Sequence, residues 1–193
     1  MSHRVTSRIR HATGPIRAGG RIYGEGMSSL LKDAFDHHSW ATLNVLDACA
    51  ALPPAILEVA VTGTYGTIEA TLRHAIESDS YYLDDFYGGW LARQHPSETL
   101  SELRELAVAQ SQAWSALLEG DLDANEVIHE VDPDDGYQRD ATVGLRLAQA
   151  LHHGNDHRSQ ICTTMSAHGF TPPPVSVWEY GFFSGRASEI LPR

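Results

Sequence analysis

Two histidines stand four residues apart in the run His153-Gly-Asn-Asp-His157-Arg-Ser-Gln160. In a helix of ~100° per residue their side chains lie ~40° apart on one face, one turn above the other. Two imidazoles so placed can grip one metal ion, which is why i, i+4 histidine pairs recur in metal sites. His152 projects ~100° from His153 and falls outside the pair. A third ligand must come from another segment, and spacing alone does not choose among His74, His37 and His38. Three neutral imidazoles leave at least one coordination position open, the arrangement of catalytic rather than structural zinc. An ion there acts as a Lewis acid and lowers the pKa of a bound water or thiol. Zinc is the first choice for the single divalent ion; nickel, iron or manganese accept the same nitrogen donors.

The other histidines carry ordinary explanations. His3 and His11 belong to the N-terminal stretch, His95 and His129 lie outside the long helical segments, and His168 precedes Gly169 at a helix end, where a cation suits the dipole. Other catalytic patterns are absent: the chain has no H-E-x-x-H, no H-x-E with C-x-x-C, no G-x-S-x-G and no P-loop. Glu126-Val-Ile-His129 has di-iron spacing but falls in an expected hairpin rather than a helix.

Four long helical segments must position these groups. The first runs from about Ser28 to Leu52, with Leu31, Phe35, His38, Thr42, Val45 and Cys49 at spacings of three and four, and stops at Pro53-Pro54. A linker through Gly63 and Gly66 leads into the second, Thr67 to Tyr87, which ends at Gly88-Gly89. Ser97-Glu98-Thr99 offers capping chemistry for the third, which ends near Gly120. Val127, His129 and Val131 alternate ahead of the turn signal Asp134-Asp135-Gly136, so a short hairpin is expected over residues 126–140. The fourth helix spans Ala141 to Ala167 and stops at Gly169; Pro172-Pro173-Pro174 opens an aromatic tail with Trp178, Tyr180, Phe182 and Phe183. The expected architecture is all-α, a four-helix bundle over residues 27–193 with its C-terminal tail, from about residue 170, packed on it.

In the fourth helix, Thr142, Arg146, Gln149, His153, His157, Gln160 and Thr164 form a polar line ~120° from the apolar line of Val143, Leu147, Leu151, Ile161 and Met165. The bland reading of the polar line is a solvated face. It contains no Lys, Asp or Glu, unusual for the surface of so acidic a protein. In the second helix Ile68, Leu72, Ile76, Leu83 and Phe86 make an apolar stripe, and His74 projects ~160° from Leu72 beside Ala70 and Tyr81. Both faces therefore look partly buried, one toward the bundle and the other toward a partner subunit or the tail. Glu77, Asp156 and Gln160 are available to orient the imidazoles through their second nitrogens, and each reads equally well as a helix-surface residue. His38 and Trp40 are placed to line a pocket, although plain packing is the commoner role for a tryptophan there.

Composition bounds the rest. A chain of 193 residues with 42% hydrophobic content suits one globular domain. Arg4, Arg8, Arg10, Arg17 and Arg21 sit in residues 1–26 with Glu25 as their one acid, so the remainder is more acidic than the whole-chain net charge of -11. Such a body repels phosphate backbones, which argues against nucleic acid as a partner. The glycines of residues 1–26 argue against a stable helix there, and the stretch is expected to be a disordered extension. Cys49 and Cys162 make no disulfide framework and read as buried core residues in a reducing, cytoplasmic setting. No stretch approaches the ~20 apolar residues that span a bilayer, and no apolar signal region opens the chain.

Three runs together resemble one family. Gly66-Thr-Ile-Glu-Ala-Thr-Leu-Arg-His74 with Tyr81-Tyr82-Leu83 is similar to the second helix of the DinB/YfiT-like proteins, His153 to Ile161 resembles their H-x-x-x-H-R-G-Q signature, and Asp36-His37-His38-Ser39-Trp40-Ala41 fits their first helix. Ser159 replaces the usual glycine. The likeness covers about Met27 to Gly169 in the right order. It implies a four-helix bundle, with His74, His153 and His157 holding one divalent metal, and a homodimer. Some branches of the family are thiol-dependent enzymes, among them bacillithiol or mycothiol S-transferases and a maleylpyruvate isomerase. The resemblance thus implies a metal-dependent enzyme, a transferase or hydrolase, most concretely one moving a small electrophile onto a low-molecular-weight thiol. The alternative is a non-catalytic metal-binding or stress-associated dimeric protein.

Overall fold

The computed structural model of the chain describes residues 23–87, 98–131 and 136–190. Its first helix, α1, runs Tyr23–Ala50, so it starts inside the glycine-rich stretch expected to be an extension; residues 1–22 lie outside the described residues. Phe35, His38, Val45 and Cys49 are all buried, as their spacing requires. The helix closes in tight turns, Ala51 N–H to Ala48 O and Leu52 N–H to Cys49 O, just before the two prolines. Pro54 then opens a one-turn helix the sequence reading did not foresee, α2 (Pro54–Leu57), with proline at its first position and Leu57 buried.

Helix α3 spans Ile68–Tyr87, and the Thr67 hydroxyl accepts from Ala70 N–H at its start. Its apolar stripe is buried from Ile68 to Leu83. The expected Gly88-Gly89 stop lies outside the described residues. Helix α4 spans Leu100–Leu118 behind a full capping box between Thr99 and Glu102. Leu103, Leu106, Gln110, Trp114 and Leu118 are its buried face. The hairpin follows as β1 (Val127–Val131) and β2 (Gln138–Thr142), antiparallel, with His129 opposite Asp140. The last long helix, α5, spans Val143–Ala167 with Thr142 as its N-cap. It ends in a Schellman arrangement: Gly169 takes φ +82°, Phe170 N–H reaches Met165 O and Gly169 N–H reaches Ser166 O. In the tail, a short helix α6 (Val177–Phe183) forms behind a Ser176/Glu179 capping box, an element aromatic composition alone does not reveal.

The long helices form a four-helix bundle in which α1 and α3 lie diagonally opposite, each flanked by α4 and α5. Phe35 and Trp114 meet at the centre, ring centroids 4.5 Å apart. Outside the bundle, the tail lies along α1: His37 Nε2 bonds Val175 O at 2.9 Å, Asn44 Nδ2 donates to Pro174 O at 3.1 Å, and Trp40 packs on Tyr180 and Phe183. Trp40 is thus a packing residue for the tail. Among the described residues no helix is long and apolar enough to cross a membrane.

Candidate metal centre

Most of the polar line of α5 is not a solvated face, Gln149 being its one exposed member. Arg146, His157 and Thr164 are buried, because the line is the seam along which α5 meets α3. At one end Arg146 is held by Asp85, by Glu130 at 3.0 Å and by Ile128 O at 3.2 Å. Next, Gln149 Nε2 donates to the Tyr82 hydroxyl at 3.3 Å. At the other end the Tyr65 N–H donates to Gln160 Oε1 at 2.8 Å.

Between these contacts three imidazoles converge. His74 Nε2 lies 3.2 Å from His153 Nε2, and His153 Nε2 lies 3.1 Å from His157 Nε2; the three candidate ligand atoms are all within 4.8 Å of one another. Bonds of ~2.0–2.1 Å at a tetrahedral angle separate their donor nitrogens by roughly 3.3 Å. The rings stand 63° to 90° to one another rather than stacked, so each can aim a lone pair at a shared point. His74 therefore faces α5 of its own chain, not a partner subunit or the tail; Tyr81, beside it on the helix, is the exposed residue.

The protonation states suit a cation. Gln160 Oε1 already accepts from Tyr65, so His157 Nδ1, 3.3 Å away, carries the proton and leaves the Nε2 lone pair free. Burial, followed by the His157 and His74 charges, pushes the His153 pKa down to about 4. Burial and then His157 also lower that of His74, against Glu77. Both rings are neutral donors near pH 7. His153 Nδ1 is buried without a partner among the described residues, and its ring packs against the Tyr82 ring, 5.7 Å away. Donor type, donor spacing and protonation state fit a divalent ion.

Of the expected supporting residues, Gln160 lies within hydrogen-bond distance of a ring, His157 Nδ1. Glu77 pairs with Arg73 at 3.9 Å and reaches His74 through its charge; Asp156 is exposed and acts on His153 only through its charge. His38 is not among the converging rings. It is buried in a core network: Arg158 Nη1 donates to His38 Nδ1 at 3.2 Å and to Thr42 Oγ1 at 3.0 Å, and His38 Nε2–H donates to Asp79 Oδ2 at 2.6 Å. Gly154, between the two α5 histidines, allows this approach, since a Cβ there would stand 2.4 Å from His38 Cε1. Burial lowers the Arg158 guanidinium to about 10, against the Asp79 charge, so it stays cationic near neutrality. His38 does line a cavity, on the α1 side of α5.

Two site residues were missed in the sequence. Tyr65 stacks on His74 at 4.1 Å and 9° and meets His157 edge-on; as a linker tyrosine it belongs to no periodic pattern. Tyr82 sits eight residues after His74, just over two turns along α3 and ~80° around it, so register alone did not single it out.

A helical bundle with a three-imidazole cluster between two antiparallel helices defines a class of candidate metalloprotein. The chain belongs to the DinB family, whose family model matches residues 27–184. No curated protein matches the chain.

Proposed function

We propose that His74, His153 and His157 hold one divalent cation, zinc in the first instance, and that the protein is a metal-dependent transferase joining a small electrophile to a low-molecular-weight thiol. The convergence of three Nε2 atoms within 3.1–3.2 Å of their neighbours carries this reading. A bound cation supplies Lewis acidity, ionising a coordinated thiol near neutral pH. The chain's own groups do the rest. Gln160 keeps the His157 proton on Nδ1. Tyr65 covers one face of His74 and narrows solvent access. The Tyr82 hydroxyl accepts from Gln149 and keeps its own proton to donate to a polar atom of the electrophile. The protein acts in the cytoplasm as a homodimer in this reading; sedimentation tests the dimer.

The test is thiol consumption with a panel of electrophiles, before and after chelation and metal restoration. Consumption lost on chelation and regained with zinc supports the proposal. Undiminished turnover in protein shown by elemental analysis to be metal-free rejects it. Metal bound without turnover of any thiol favours the non-catalytic alternative, a binding protein that the ion stabilises.

A further inference from the structure

On the side of α5 away from the metal centre lies a cavity of about 550 Å³, a size typical of small-molecule sites. Leu151 and Asn155 line it, and each projects ~160° from His153 around the helix. Its opposite walls are α1 and the tail from Val177 to Ala187. The tail is tethered over it by Val175 O on His37 and by the Arg186–Asp33 ion pair, so the space is built rather than incidental.

Arg158 is the chemically distinctive group in that wall. It is 4% exposed, and only Nη1 finds partners among the described residues, His38 and Thr42. Nε and Nη2, the edge that receives carboxylates in paired fashion, have none. Among the described residues no carboxylate bonds the guanidinium; Asp79 bonds the far side of His38 and acts on Arg158 through its charge. A buried cation without a direct counter-ion is costly, and an anion entering the cavity would relieve that cost. Leu151, Val177, Trp178 and Tyr180 give the lining an apolar and aromatic part, and its other charged members, Asp33 and Arg186, neutralise each other in an ion pair.

We infer that this cavity is a second ligand site, independent of the metal, that takes a small carboxylate with a flat apolar body, the carboxylate on the free edge of Arg158 and the body against Trp178.

The test is calorimetric titration of the chelated full-length protein with 2-naphthoate and with the uncharged 2-naphthamide. Naphthoate is expected to bind at least ~10-fold tighter than the amide, the value of one charge-assisted contact. Trp178→Ala, at a residue 75% exposed and so harmless to folding, is expected to weaken naphthoate ~10-fold, and Arg158→Gln to erase the preference over the amide. His153→Ala is expected to leave binding unchanged, which separates this site from the metal centre. Equal binding of acid and amide overturns the inference, as does no binding at about 10 mM. Affinity indifferent to Trp178→Ala, or lost in His153→Ala, does so equally.

Discussion

Replacing His153 with alanine removes the central member of the cluster, the one ring whose Nε2 lies 3.1–3.2 Å from both of the others. Two nitrogens on different helices then remain, and stoichiometric metal is expected to be lost. At free metal ~100 times its dissociation constant, binding stabilises the folded wild type by about 2.7 kcal/mol. For a chain of this size that is a rise of roughly 5–10 °C in melting temperature. The variant is expected to show no such rise. Without metal the substitution should cost little, within about 1 kcal/mol, because the lost packing is offset by removing a buried nitrogen that has no partner among the described residues. Elemental analysis of gently purified protein, alongside thermal melts with zinc or with chelator, reads both quantities. One equivalent of metal retained by the variant, or a zinc-dependent rise equal to that of wild type, would refute the three-ligand assignment.

Four further outcomes follow from the same geometry. Gln160→Leu releases both the His157 tautomer and the Tyr65 backbone, and is expected to weaken metal binding ~10–100-fold while leaving the helical circular dichroism intact. Chelated wild type is expected to lose about 1–2 kcal/mol between pH 6.5 and pH 4 after solvent screening of the half-buried His153 ring, because its folded pKa of about 4 lies below the unfolded ~6.5 and the unfolded chain binds the extra proton; denaturant melts across that window should flatten in His153→Ala. Gly154→Ala forces a methyl onto the His38 ring and is expected to cost ~1–3 kcal/mol in urea unfolding, or more if α5 cannot shift. Burial pushes the Cys49 thiol up to about 12, so it should resist iodoacetamide at pH 8 in native protein and react at once in urea, whereas rapid native labelling would contradict its placement in the core.

Most of the bundle was legible because its signals are local and periodic. Proline pairs, a Thr-x-x-Glu box and Gly169 mark the ends of helices where the backbone itself needs them. The one-turn α2 and the tail helix were not legible, since four and seven residues are too few for a periodicity to show. The start of α1 was misjudged for another reason. Gly24 and Gly26 each disfavour a helix by only about 1 kcal/mol, less than the continuity of a long helix recovers.

The candidate metal centre shows a different limit. A helix face that packs on polar partners has the same 3.6-residue period as a face that meets water, so hydrophobicity alone cannot separate them. In α5 charge is a hint that leaves both readings open: a surface of this acidity would carry Lys, Asp or Glu, and the line from Thr142 to Thr164 carries none. The structure supplies the reason, because four of its five long members are matched by a group on or beside α3: Arg146 by Asp85, Gln149 by Tyr82, His153 by His74 and Gln160 by the Tyr65 backbone. These pairs descend α5 as they climb α3, as two antiparallel helices demand. That register explains what intrahelical spacing could not. His74 is selected over His37 and His38 by which residue of the neighbouring helix stands level with His153, and such a fact exists only once the two helices are side by side.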